Sequence, residues 1–384
     1  MVFGSLYNVI LKIQKRRLMR FLIVTFDFPP ALGGVETRVK NYIQNMVRLN
    51  HQVLVVALTS RGGRVYVERY LGVSVYRCPS SPRFIFKVLL TIMREISDYH
   101  ADVMFILTGA CSLIGLIFSL YGKLKGMKTG IFLYGLDILS AKANPIKSLT
   151  LRFSLLVNQK VGVNSKATST LIPKNPWTKI FLLYPGVESQ DFVTELEIKR
   201  YDKTKFVLFV GRLIKRKGTD DLIYAFKNLL KNVPEAKLVI VGEGSEKDRL
   251  YALVREFGIQ ERVEFTGPLV GRRLQKKYQE CDVFAMPSKK VGNDIEGFGI
   301  VFLEAALFKK PSVGTWSGGI PEAVIDRQTG LLVPEGDINA LKEAIQLLLT
   351  DPKLYEELGS NAYMRVIKEF TWNKATNRLI DMYQ

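Results

Sequence analysis

Short apolar runs recur along the chain, and most are followed by a stretch with helical spacing. Residues 21–26 form the first run, which ends in Phe28-Pro29-Pro30 and Gly33-Gly34, with a helix expected from about 36 to 49. Residues 53–58, 103–107, 129–133 and 160–163 read as further strands, with helices between most of them. This rhythm predicts a parallel sheet covered by helices on both faces. Around 179–186 a short strand runs into Pro185-Gly186, and the polar stretch 193–205 reads as a linker. A second round follows: strand 205–210, loop 211–218, helix 219–230, then strand 237–241 and a helix to about 257. Residues 263–265, 283–286, 311–314 and 330–333 supply more strands, and a last helix covers 371–383. The expected fold class is α/β, with two Rossmann-like doubly wound parallel-sheet domains facing across a cleft. Ligands bind such folds beyond the carboxyl ends of the strands.

A chain of 384 residues accommodates two such domains. Charge changes the picture more than length does. Of the net +19, residues 1–190 carry 25 Lys/Arg against 8 Asp/Glu, and residues 191–384 carry 30 against 28. The excess of +17 in the first half suits an anionic membrane surface or a phosphorylated acceptor. No nucleic-acid reading element accompanies it, so nucleic acid is not expected as a partner. Residues 1–18 form a basic extension in which apolar residues precede Lys15, Arg16 and Arg17, the wrong order for a secretory signal. Two readings stand open for it: an amphipathic helix lying on a membrane, or an upstream extension of no further role. Residues 103–121 are nearly long enough to span a bilayer. Gly109, Ser112 and Gly115 divide them, however, and a buried strand running into a helix is the better reading. Cys78, Cys111 and Cys281 are far apart and form no CxxC pair, which argues against a disulfide framework or a zinc site and fits a reducing compartment.

Three constellations carry chemistry. In the loop Gly211-Arg212-Leu-Ile-Lys-Arg-Lys217-Gly218, a glycine turn, two cations and a helix start can converge on a diphosphate; a solvated basic loop is the plain alternative. In Glu296-Gly-Phe298-Gly299-Ile300-Val-Phe-Leu-Glu304, one carboxylate sits in a loop and another about a turn into a helix. The pair can take hydrogen bonds from sugar hydroxyls while the free amides of the helix start face phosphates. An acid near a helix start is also simply stabilising. Thr315-Trp-Ser-Gly318-Gly319-Ile-Pro-Glu322 places a flexible glycine pair after a strand, consistent with a loop approaching a ligand; turn formation explains it nearly as well.

Taken in order, these elements resemble the retaining glycosyltransferases of family 4, which have the GT-B fold. The resemblance rests on Phe28-Pro-Pro…Gly33-Gly34, Pro185-Gly186-Val187, the 211–218 loop, Gly242-Glu-Gly244, Phe265-Thr-Gly267, Asp282-Val-Phe-Ala-Met-Pro287, Glu296…Glu304, Ser317-Gly-Gly-Ile-Pro-Glu322 and Gly330-Leu-Leu-Val-Pro334. It spans about residue 19 to the end and is most specific over 205–335. The stretch from Met286 to Glu304 looks particularly like phosphatidylinositol mannosyltransferases, which use GDP-mannose. The resemblance implies an acceptor domain over 19–192, a donor domain over 193–365, and a helix over 366–384 crossing back to the first domain. It gives Arg212 and Lys217 the donor diphosphate, Glu304 the ribose, and Glu296 the sugar hydroxyls with the amides near Phe298, Gly299 and Ile300. Gly211 and Gly267 would lie in donor-binding loops, and Gly33 and Gly34 against the donor phosphates or the acceptor. It further implies retention of configuration without a cofactor or metal, and no Asp-x-Asp element is present in the chain.

One departure stands out. Many relatives carry a histidine before Gly-x-Asp/Glu at the end of a first-domain strand; here Phe132-Leu-Tyr134-Gly135-Leu136-Asp137 places Tyr134 at that position. Tyr134 can donate to a sugar hydroxyl and Asp137 can orient a neighbour, so both join Arg212, Lys217 and Glu296 as catalytic candidates. The expected enzyme moves a hexose, mannose by preference, from a nucleotide sugar to a lipid-linked or glycolipid acceptor. It would work peripherally at the cytoplasmic face of the cell membrane. Two rivals remain at this point: a UDP-glucose- or UDP-N-acetylglucosamine-dependent transferase acting on a soluble or polysaccharide acceptor, and a catalytically silent sugar-nucleotide-binding partner.

Overall fold

The structure is a computed structural model that describes residues 17–26, 28–29, 34–59, 65–79, 85–158, 160–187 and 204–384. Gly33, nearly all of the basic extension and most of the 193–205 linker lie outside the described residues. The first half contributes β1 (Arg20–Thr25), β2 (Gln52–Thr59), β3 (Tyr66–Tyr70), β4 (Val73–Pro79), β5 (Val103–Ile106), β6 (Lys128–Leu133), β7 (Lys160–Val163) and β8 (Lys179–Leu182). They form one sheet in the order β3-β4-β2-β1-β5-β6-β7-β8. Phe21, Leu22, Ile23 and Val24 are all fully buried, as a central parallel strand covered on both faces requires. Every pairing is parallel except β3 with β4. That hairpin is absent from the sequence reading, because β3 is largely exposed and carries Glu68 and Arg69 instead of an apolar run. Charge on an edge strand blocks further pairing. Arg77 of β4 holds it there, donating to Glu68 at 2.7 and 2.9 Å.

The second half contributes β9 (Lys205–Val210), β10 (Ala236–Val241), β11 (Val263–Gly267), β12 (Val283–Ala285), β13 (Ser312–Thr315) and β14 (Leu331–Val333). Their order, β11-β10-β9-β12-β13-β14, is all parallel. The chain leaves β9 in one direction and returns through β12 on its other side, so the strand order reverses between them. A doubly wound sheet opens its ligand crevice at that point. The helix Thr219–Leu229 covers this sheet with Leu222, Ile223, Phe226 and Leu229, one stripe at helical spacing.

Residues 103–121 resolve into the buried strand β5 and the start of the twelve-residue helix Leu113–Leu124. No helix among the described residues is long and apolar enough to cross a membrane.

The last helix, Trp372–Asp381, leaves the second domain and packs on the first. Val187 donates its backbone N–H to Phe370 at 2.7 Å where the chain crosses. Trp372 meets Tyr42 of the Gly34–Arg48 helix edge-on at 5.7 Å, and Tyr383 meets Phe105 of β5 at 6.1 Å. Leu379, Ile380 and Tyr383 join Met19, Phe21 and Phe105 in one buried cluster. Residues 379–383 thus help to complete the core of the first sheet.

Candidate functional site

Beyond the end of β9 the chain enters the loop that begins at Gly211 and closes in a short turn over Lys215–Lys217. A cavity of about 600 Å³ opens beside it, lined from the second domain by Arg212, Arg216, Lys217 and residues 294–300, and from the first by Arg38, Tyr134 and Asn164 among others. Its most charged feature is a four-residue cluster. The turn over 215–217 brings two neighbouring cations onto one acid: Arg216 Nη1 donates to Glu296 Oε2 at 2.5 Å, and Lys217 Nζ donates to the same oxygen at 2.7 Å. Arg216 also donates through Nε to Asp294 at 3.1 Å. Glu296 is buried. Burial pushes its carboxyl up, but Lys217 and Arg216 outweigh that and hold it at about 2, well below the usual carboxylate range. Its other oxygen, Oε1, takes no protein hydrogen bond among the described residues.

The cluster is neutral in sum, two cations against two carboxylates. Arg212 is different. It is exposed, lines the same cavity and makes no ion pair among the described residues. The loop after β13 fixes the backbone that carries Glu296: Gly319 donates its N–H to the Glu296 carbonyl at 2.9 Å. Gly318 sits at φ +53°, and a Cβ there would lie 2.2 Å from that carbonyl oxygen, so only glycine allows the approach. Gly299 and Ile300 begin the helix Ile300–Leu307, which has no side-chain N-cap. Its first amides are therefore unsatisfied from within the helix. Phe298, just before that helix start, is buried between Tyr184 at 5.4 Å and Phe370 at 5.7 Å.

The wall contributed by the first domain is built around Tyr134, which is half-buried and faces the cavity. Asp137 accepts the Tyr134 backbone N–H at 3.0 Å, closing the start of the helix Gly135–Ala143. Asp137 itself does not line the cavity; it holds Tyr134 from behind. Arg38, from the Gly34–Arg48 helix, is buried with its guanidinium 4.8 Å from the Phe132 ring and 5.5 Å from the Tyr134 ring, within cation–π range.

The remaining candidates fall elsewhere. Glu304, half-buried on the helix Ile300–Leu307, accepts the Tyr278 hydroxyl at 2.7 Å and is outside the residues lining the cavity. Burial raises its pKa, and the tyrosine bond only partly offsets this. Gly267 ends β11 and accepts the Gly242 N–H at 2.9 Å. Gly211 donates to Val241 at 3.0 Å. Gly34 is the first residue of its helix.

The structure adds three residues that sequence reasoning missed. Arg216 is nearer to Glu296 than Lys217 is, yet the loop reading named only Arg212 and Lys217. Arg38 lies one turn beyond Gly34, with no motif to mark it. Glu322, which the sequence places at the end of the glycine-pair loop without a role of its own, joins the two domains. Its carboxylate accepts the backbone N–H groups of Lys166 at 2.8 Å and Ala167 at 3.2 Å, and the Tyr184 hydroxyl at 2.9 Å.

Two doubly wound parallel-sheet domains facing across a cleft at the switch point of the second are the architecture of the GT-B glycosyltransferases, and this chain has that fold. Residues 194–365 match the family described as glycosyl transferases group 1. The chain is 28% identical over 374 residues to the GDP-mannose-dependent alpha-(1-6)-phosphatidylinositol monomannoside mannosyltransferase of Mycolicibacterium smegmatis, an alignment covering 94% of this chain and 97% of that protein. A D-inositol 3-phosphate glycosyltransferase of Corynebacterium aurimucosum is 36% identical over 186 residues, covering 47% of this chain and 43% of that protein. Among solved structures, the sucrose-phosphate synthase of Thermosynechococcus elongatus superposes with a TM-score of 0.74 at 22% identity, covering 96% of this chain and 98% of that one. HepE of Anabaena in complex with UDP-glucose superposes with a TM-score of 0.73 at 20% identity, covering 94% and 98%.

Proposed function

We propose that the chain transfers mannose from GDP-mannose, with retention and without a metal ion, to a lipid-linked or glycolipid acceptor at an anionic membrane surface. The observation that carries this reading is Glu296, kept ionised in a buried position by Lys217 and Arg216 beside an exposed Arg212. Cleaving a glycosyl–phosphate bond builds negative charge on the leaving diphosphate. Arg212, Lys217 and the free amides at Gly299 and Ile300 supply fixed positive charge in the cavity, which is how a preorganised site lowers such a barrier. With Oε2 committed to the cations, Glu296 Oε1 is the acceptor for sugar hydroxyls. At about pKa 2 the carboxyl cannot act as a proton donor near neutrality. The mannose and lipid choices draw support from the full-length similarity to the phosphatidylinositol monomannoside mannosyltransferase and from the basic first half.

Thermal shift with GDP, UDP and ADP tests the donor, because a bound nucleotide raises stability by mass action. GDP is expected to give the largest shift. Transfer of labelled mannose from GDP-mannose into organic-extractable lipid, unaffected by chelator, with the α-configuration kept, completes the test. A larger shift with UDP, or label only in water-soluble product, would overturn the reading.

A further inference from the structure

The outer surface of the first domain carries an apolar strip that none of the described residues covers. In the helix Pro145–Val157, Thr150, Leu151, Ser154 and Leu155 are buried, with Thr150 donating to the Cys111 carbonyl at 2.6 Å and Ser154 to that of Ala110 at 3.0 Å. The residues between them point out: Ile146, Leu149, Phe153 and Leu156, spaced three, four and three apart, are exposed by 73%, 57%, 48% and 53%. That is a single stripe at helical period. The neighbouring helix Leu113–Leu124 turns out Leu120 and Leu124 in the same way. Scattered single apolar residues on a surface are ordinary, but a row of them on one helix face marks an interaction site.

Charge selects the occupant. Residues 110–160 contain seven Lys/Arg and one acid, Asp137, whose carboxylate is engaged with the Tyr134 N–H. Lys147 and Arg152 on the exposed helix, and Lys123 on its neighbour, are exposed and make no ion pair among the described residues. A second copy of the chain would bring two such basic surfaces together and be repelled, whereas an anionic bilayer offers both an apolar interior and opposite charge. The strip also leads to the cavity. The helix Gly135–Ala143 begins at the cavity wall with exposed Leu136, is about 13 Å long, and continues through Asn144 into Pro145–Val157.

We infer that the stripe Ile146-Leu149-Phe153-Leu156, with Lys147 and Arg152 beside it, is the surface by which the chain lies on an anionic lipid bilayer. The stripe enters the apolar boundary layer and the cations meet the head groups, with the cavity mouth close to the lipid plane. This deepens the proposed lipid acceptor by naming the face that meets the membrane, and it rests on that reading.

Vesicle flotation of the full chain, without donor or acceptor, tests the surface separately from the reaction. Equal-part phosphatidylcholine/phosphatidylglycerol vesicles are expected to bind the protein and phosphatidylcholine alone to bind it weakly, with binding lost as salt rises. The pairs Leu149→Glu/Phe153→Glu and Lys147→Glu/Arg152→Glu are each expected to lower the bound fraction about tenfold or more. Unchanged circular dichroism and an unchanged nucleotide-induced thermal shift would show that both pairs fold. Wild-type binding by both pairs, or equal binding to neutral vesicles, overturns the inference. So does a wild-type dimer in light scattering that either pair converts to monomer. Vesicle binding lost in the variants, alongside no labelling of lipid by the wild type, would sustain the surface and sink the lipid acceptor.

Discussion

Glu296 shows how one residue links folding to chemistry. Its pKa of about 2 against an ordinary 4.5 means that the unfolded chain binds more protons than the folded one between those values. Its contribution to stability is therefore complete above about pH 4.5 and is lost as pH falls through 2. Replacing Glu296 with Gln should flatten the acid limb of a stability-versus-pH curve in that window; an unchanged slope would show that the cluster does not hold the proton away. The same cluster predicts kinetics. Lys217→Ala or Arg212→Ala should each cut transfer by about 10²-fold or more, with near-wild-type turnover removing the role. What the sequence made legible here was the loop. The contact partners were not legible, because Arg216 meets Asp294 and Glu296 about eighty positions further along. Only the short turn over 215–217 decides which of three adjacent cations faces them. Asp137 was legible as a polar residue near Tyr134, but its bond to the Tyr134 backbone depends on where the helix Gly135–Ala143 begins.

Elements divide by how strongly their pattern announces them. Strands buried on both faces, such as β1 and β9, are unbroken apolar runs and can be read directly. The β3–β4 hairpin cannot, since its edge strand buries little and its pairing is set by Arg77 reaching Glu68. The turn Ile320–Ala323 looked like loop chemistry, and its part in joining the domains emerges only once Lys166 and Ala167 are in place. Glu322→Ala would leave those amides and the Tyr184 hydroxyl without their shared acceptor. We expect a larger radius of gyration in X-ray scattering and a raised KM for the donor, with each isolated sheet still folded. A scattering curve identical to wild type would mean that the domains stay closed by other contacts. At the crossing helix, Trp372→Ala removes a buried aromatic that packs on Tyr42, and a loss of about 3–5 kcal/mol is expected in denaturant unfolding.

At the scale of the whole molecule, charge and fold are partitioned differently from length. The basic excess belongs almost wholly to the first half, while the paired cluster of the second sums to zero. Added salt should therefore weaken attachment to anionic surfaces more than it weakens nucleotide binding in the cleft, where Arg212 is exposed but Lys217 is buried, because buried charges are screened much less than exposed ones. Comparing the two salt slopes on one preparation checks this.

The crossing of the final helix has a consequence for how the protein is made. Domains emerging from a ribosome generally fold in order, the first before the second. Here the first sheet lacks Leu379, Ile380 and Tyr383 until the whole second domain has been made. The earliest-made domain is thus the last to be finished, and it waits with part of its apolar surface bare while the second domain is synthesised. A stop at position 372 would spare every residue lining the cleft and still leave the opposite domain unsealed.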